Sequence, residues 1–190
     1  MRGQRTRPST LVGSWVGNGL VTNLGDFESI ATVSVGSGGQ ATIEFSSIPS
    51  TYKHLQIRGL LRTGSGTQMQ IRLNSDTTSN YSSHGVAGDG STVQSYGGAN
   101  VSFGRWNIYT GLPTGSNIFG VAVIDILDYA NTNKYKTVRI LHGQDSNGSG
   151  EVGLSSAAWF STTAVSTVTL FPPSGTIQQY SQFALYGIKG

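Results

Sequence analysis

Phe27-Glu28-Ser29-Ile30-Ala31-Thr32-Val33-Ser34-Val35 is the stretch that sets the fold class. Ala31, Val33 and Val35 alternate with Ile30, Thr32 and Ser34, the period-two pattern of a half-buried strand. Gly36-Ser37-Gly38-Gly39 then turns the chain, and Ala41, Ile43 and Phe45 resume the apolar face until Pro49 stops it. The two segments are expected to form a hairpin. Downstream, Leu55, Ile57, Gly59 and Leu61 share one face of a third strand, with His54, Gln56, Arg58 and Arg62 largely on the other. Gly64-Ser65-Gly66 turns into Met69, Ile71 and Leu73. Residues 74–100 are rich in Gly, Asn and Ser and predict a long loop with at most one short strand.

Regular strands are expected again at 101–109, 118–127, 135–142, 151–160, 165–171 and 183–188. The second of these is nearly continuous apolar and should lie centrally, covered on both faces. About ten strands at turn-marked spacing, with no convincing helix, predict an all-β antiparallel sandwich, jelly-roll-like, behind an extended N-terminal arm.

Composition agrees. Only 11% of the 190 residues are charged, and Gly 27 is high. Polarity is carried by Ser, Thr, Asn and Gln, which compete with helical hydrogen bonds and favour strands and turns. With Cys 0, disulfide staples, thiol nucleophiles and cysteine metal sites are excluded. No run approaches ~18 apolar residues, so no membrane partner is expected.

The charge is unevenly placed. Arg2, Arg5 and Arg7 stand in residues 1–25 without an acid, whereas nine bases and nine acids balance from Asp26 onward. The sequence therefore divides into a basic arm, 1–25, and a neutral β-domain, 26–190. No apolar core follows the arginines, so the arm does not read as a signal peptide. Three charges supply only a weak phosphate-binding contribution, which makes a protein acceptor the expected partner rather than nucleic acid. Leu11, Trp15 and Leu20, interrupted by Gly13, Gly17 and Gly19, cannot form a core of their own. Arg2, Arg5, Arg7, Leu11, Trp15 and Leu20 are the candidate docking residues. Packing back onto the arm's own domain is the alternative.

Catalytic patterns are not found. There is no Gly-x-Ser-x-Gly elbow, and the three histidines, His54, His84 and His142, form no metal-binding spacing. Each reads as an isolated, hydrogen-bonded or solvated side chain. Period two puts Asp125 and Asp128 on opposite faces, which argues against a paired-carboxylate glycosidase. Asp128 is expected instead to organise the following loop through backbone bonds. Asp145 to Glu151 offers oxygen ligands but lacks the calcium-loop register, and Asn147-Gly148 is a hairpin-turn dipeptide. Tyr81, Tyr96, Trp106 and Tyr109 are candidate glycan-contacting rings, with core filling as the stronger reading. No enzyme activity and no cofactor are expected.

Several strings are similar to those of a family. Phe27-Glu-Ser-Ile-Ala-Thr-Val-Ser-Val-Gly-Ser-Gly-Gly39, Ile43-Glu-Phe-Ser-Ser-Ile-Pro-Ser-Thr-Tyr-Lys-His-Leu-Gln-Ile-Arg58, Val123-Ile-Asp-Ile-Leu-Asp-Tyr-Ala-Asn-Thr-Asn-Lys134 and Phe183-Ala-Leu-Tyr-Gly-Ile-Lys189 carry the resemblance. They resemble small β-sandwich virion structural or fibre-like proteins of marine bacteriophages and cyanophages, over about residues 27–190. The resemblance implies a place on the virion, as capsid decoration, tail fibre or tail-associated protein, and transfers no catalytic residue. It implies other capsid or tail proteins as partners and a homo-oligomer, with a trimer as one option. A lectin-like module that attaches to host surface glycans is the alternative function.

Overall fold

The computed structural model describes residues 26–65, 68–106 and 113–190, together with a short antiparallel pair, β1 (Trp15–Val16) and β2 (Gly19–Leu20). The rest of the arm, including Arg2, Arg5, Arg7 and Leu11, lies outside the described residues, as does Tyr109.

Twelve further strands build a two-layer antiparallel sandwich with no helix among the described residues. In chain order they are β3 (Phe27–Ser34), β4 (Ile43–Phe45), β5 (His54–Leu61), β6 (Met69–Leu73), β7 (Tyr81–Gly88) and β8 (Val93–Val101). Then follow β9 (Gly104–Trp106), β10 (Gly120–Leu127), β11 (Lys136–Asp145), β12 (Gly150–Trp159), β13 (Val168–Phe171) and β14 (Gln182–Ile188). The large sheet runs β3-β14-β5-β10-β11-β12-β7-β8, and the small one β4-β13-β6-β9.

Alternation explains which side chains meet. Leu55, Ile57 and Leu61, Ile124 and Ile126, Val138 and Ile140, and Phe183 and Leu185 point inward from the large sheet. Ile43, Phe45, Ile71, Leu73, Trp106, Val168 and Leu170 answer from the small one, and together they form one core. Full burial of each such aliphatic side chain contributes roughly 1.5–3 kcal/mol before chain entropy is counted.

The segment 27–45 is not a hairpin. β3 pairs with β14 in the large sheet, and β4 pairs with β13 in the small one. The glycine turn carries the chain between layers because residues 177–181 hold it there. Val35 N donates to Ser181 O (2.8 Å), and Gln40 and Ile177 exchange backbone bonds of 2.9 and 2.8 Å. Gly39 stands at φ +74°, where a Cβ would lie 2.7 Å from Ile177 O, so only glycine fits.

Residues 74–100 are likewise not a loop. They contain the β7–β8 hairpin, which completes the large sheet. Its strands lack an apolar signature because close packing there requires small residues. The Tyr96 ring lies over Gly85, where a Cβ would fall 2.1 Å from a ring carbon. The strand expected at 101–109 also divides, β8 ending at Val101 and β9 beginning in the other sheet. Both outermost pairings of the large sheet are irregular, with register shifts at Leu185/Tyr186 against β3 and at Tyr81/Ser83 against β8.

A buried cation holds the β10–β11 connection. Lys136 is fully buried, and its Nζ donates to the carbonyls of Asn131 (2.7 Å), Lys134 (3.0 Å) and Thr162 (3.1 Å). Burial pulls its pKa down, and the nearby Lys134 charge adds to this. Replacing Lys136 by Met strands three carbonyls in the interior. Lys136→Met should cost about 1–3 kcal/mol and lower Tm by about 2–4 °C per kcal/mol, read by thermal denaturation.

Candidate binding face

One sandwich face is unusual. The strand at 118–127 was expected to be covered on both faces, but only the inner face of β10 is covered. Val121 is 54% exposed on the outer face and Leu127 42%. Antiparallel register lines up the outward side chains of neighbouring strands in rows. One row runs Leu60, Val121, Gly143, Val152, Gly88, Val93 across β5, β10, β11, β12, β7 and β8. The next runs Arg58, Val123, Leu141, Leu154, Val86, Ser95 over the same strands. Together they make a two-row aliphatic block, with Leu141 at 55% exposure and Val152 at 62%. The strand carried a continuous apolar run because the block and the core each take alternate residues of it. A contiguous patch of this kind differs from the ordinary scatter of single exposed apolar residues.

The block has a relief. Gly143 leaves a depression of about 220 Å³ bounded by Val121, Val123, Leu141 and Val152. A wider groove of about 600 Å³ lies alongside, between Val86, Leu154, His84, Ser156 and Arg139.

On one side the block is bordered by a polar row: Tyr186, Gln56, Asp125, Arg139, Ser156, His84. Arg139 Nη2 pairs with Asp125 Oδ2 at 2.8 Å, Gln56 Nε2 donates to Asp125 Oδ1 at 2.8 Å, and Arg58 Nε donates to Gln56 Oε1 at 3.0 Å. The Arg58 guanidinium also lies 5.7 Å from the Phe27 ring centroid and 5.5 Å from that of Tyr186. At the other end stand the β7–β8 and β11–β12 turns, which carry Asp89 and Asp145. Backbone donation from Thr92 and Ser91 holds the Asp89 carboxyl below its usual range. Asp145 Oδ1 accepts from Asn147 N at 2.8 Å. Asn147 (φ 59°) and Gly148 (φ 103°) form the hairpin turn expected there, and Ser146 N donates to Ser149 O at 2.6 Å.

Of the sequence-derived ring candidates, Tyr81, Tyr96 and Trp106 do not lie on this face. Tyr81 (1% exposed) and Trp106 (0%) are core side chains, so neither ring is open to a sugar. Tyr96 is half-buried on the inner side and donates its hydroxyl to Arg105 O at 3.0 Å. Trp15 in β1 and Leu20 in β2 are backbone partners in that short pairing. Asp128 does not organise its loop through side-chain bonds to the backbone. Its carboxylate pairs with Lys134 and, at 3.1 Å, with Lys53, which hold it down to about 2. The backbone link in that loop is from Asn131 N to the Asp128 carbonyl, at 2.9 Å.

No known protein family, curated protein or solved structure matches the chain. Among the described residues no group of three or more His, Asp or Glu is placed to hold a metal ion.

Beneath the face lies a histidine that differs from expectation. His142 is 2% exposed, and neither ring nitrogen has a hydrogen-bond partner. Its ring lies over Gly153, where a Cβ would come within 2.4 Å, and Nδ1 is 3.8 Å from Glu151 Oε1. The alternation of β11 carried the signal, since position 142 shares the face of Val138 and Ile140. Burial pushes its pKa down to about 4 from 6.5. The unfolded chain therefore binds a proton between those values that the folded chain does not, and stability rises with pH across that window. The whole effect amounts to roughly 3 kcal/mol. In urea titrations between pH 4 and 6.5, His142→Phe should flatten the rise. An unchanged slope would show that His142 is not its source.

Proposed function

We propose that the chain is a non-enzymatic structural protein of a bacteriophage particle, attached through residues 1–25 and displaying the sandwich of 26–190 on the surface. The observation that carries this reading is the outer face of the large sheet. Eight aliphatic side chains, Leu60, Val86, Val93, Val121, Val123, Leu141, Val152 and Leu154, stand in two adjoining rows with no sheet of the described residues layered over them. Such a surface suits a component built into an assembly. The arm adds support: it holds the chain's entire charge excess, while the core formed by the described residues runs from Val35 to Leu185. The phage setting itself rests on the resemblance of residues 27–190 to virion proteins. The glycan-binding alternative is less well supported, because two of its four candidate rings fill the core.

The test is incorporation. Particles of the phage that encodes the chain should carry the full-length protein, detected by antibody against the sandwich. Deleting residues 1–25 should leave the melting temperature of the sandwich nearly unchanged and remove the protein from the particles. Equal copy numbers of the full and truncated chains on purified particles would refute the docking role.

A further inference from the structure

We propose that the groove between the polar row and the aliphatic block binds an acidic sugar, with the sugar carboxylate on Arg139. The inference goes beyond the particle reading and does not rest on it.

The groove measures about 600 Å³. That is within the roughly 300–1,000 Å³ of clefts that hold small ligands. Its two walls are adjoining rows of the outer face. Arg139, Ser156 and His84 stand along one wall, Leu154 and Val86 along the other, and Ser95 closes the end at β8. Successive outward positions on a strand are ~7 Å apart, so a ligand one ring wide meets both walls. Glycine keeps the groove open at β8. A Cβ at Gly97 would lie 3.0 Å from His84 Cδ2, so the imidazole can lie back over β8 only because position 97 has no side chain.

The charge selects an anion. Among the described residues lining the groove there is a guanidinium and no carboxylate. Asp125 does pair with Arg139, at 2.8 Å, but from β10, on the opposite side of β11 from the groove. Its other oxygen is taken by Gln56 Nε2 at 2.8 Å. The pair orients Arg139 before a ligand arrives, which lowers the ordering cost of binding. Arg139 Nε and Nη1 make no bond among the described residues and remain for a carboxylate, which a guanidinium holds by charge-assisted bonds.

The rest of the lining selects a sugar. The Ser95 and Ser156 hydroxyls and the His84 imidazole are exposed and have no protein partner among the described residues. They offer donors and acceptors to ring hydroxyls. Val86 and Leu154, each 46% exposed, offer an apolar surface to the C–H face of the same ring. A bare carboxylate uses only the guanidinium, and a neutral sugar leaves it unused. An acidic sugar uses all three features. Recognition here does not depend on the aromatic rings that fill the core.

Amide chemical shifts of the full chain, followed by two-dimensional NMR, test this. D-Galacturonate, D-glucuronate or N-acetylneuraminate should shift the amides of Gly85, Ser95, Gly97 and Ser156 saturably. D-Galactose and acetate should each bind about tenfold more weakly than the best acidic sugar. Arg139→Gln should keep the far-ultraviolet circular dichroism and remove the preference for the acidic sugar over galactose. Ser156→Ala, which leaves the Asp125 pair intact, should weaken the acidic sugar several-fold. No saturable shift with any of the three, shifts centred elsewhere, acetate binding as tightly as the acidic sugar, or a preference that survives Arg139→Gln would each overturn the proposal. Shifts of the same amides on raising protein concentration alone would place a second copy in the groove and overturn it as well. None of these outcomes bears on incorporation into particles, so the two readings fail separately.

Discussion

The ladder from β5 through β10 and β11 to β12 is the constraint on which the rest depends. Its hydrogen bonds are in continuous register over the length of each strand. A slip of one residue would exchange the two faces. The core would then receive Leu60, Val121 and Leu141 together with Arg58, Asp125 and Arg139, while Ile57, Ile124 and Ile140 would face water. Burying Arg58 together with the Asp125–Arg139 pair would cost far more than the exchange of aliphatics returns. The polar row therefore protects the register that creates the aliphatic block beside it.

That dependence explains which parts of the architecture were legible from residues alone. Strands β5, β11 and β14 alternate in sequence, and their positions follow from the pattern. The route of the chain between layers does not. Whether Gly36–Gly39 closes a hairpin or crosses to the other sheet is decided by backbone partners at 177–181, far away in sequence. The β7–β8 hairpin was hidden for another reason. Its inner face is built from Ser83, Gly85 and Ala87, small because the Tyr96 ring and β9 press against them. Small residues made by tight packing look the same, in one dimension, as small residues in a loop.

The candidate face was legible only in part. The apolar run 118–127 was visible, but a strand covered twice and a strand covered once beside a sticky surface share that pattern. Only the strand order distinguishes them, since among the described residues no sheet lies above the outer side. The rings failed as guides because Trp106 and Tyr81 have the bulk that a core of many small residues needs. His142 illustrates the reverse. Its position on the inner face could be read from alternation, yet its lack of partners depends on Gly153 and Glu151 across the ladder.

The irregular pairings at the two rims of the large sheet have their own consequence. A regular, flat rim would offer its unpaired amides and carbonyls as a template for the next molecule, and stacking could continue into fibrils. The shift at Leu185/Tyr186 beside β3 and that at Tyr81/Ser83 beside β8 distort each rim locally. Glycines 97 and 98 in β8 leave little side chain for a guest strand to grip. The molecule thus combines an apolar broad side with irregular borders, and irregular borders discourage endless edge-to-edge stacking.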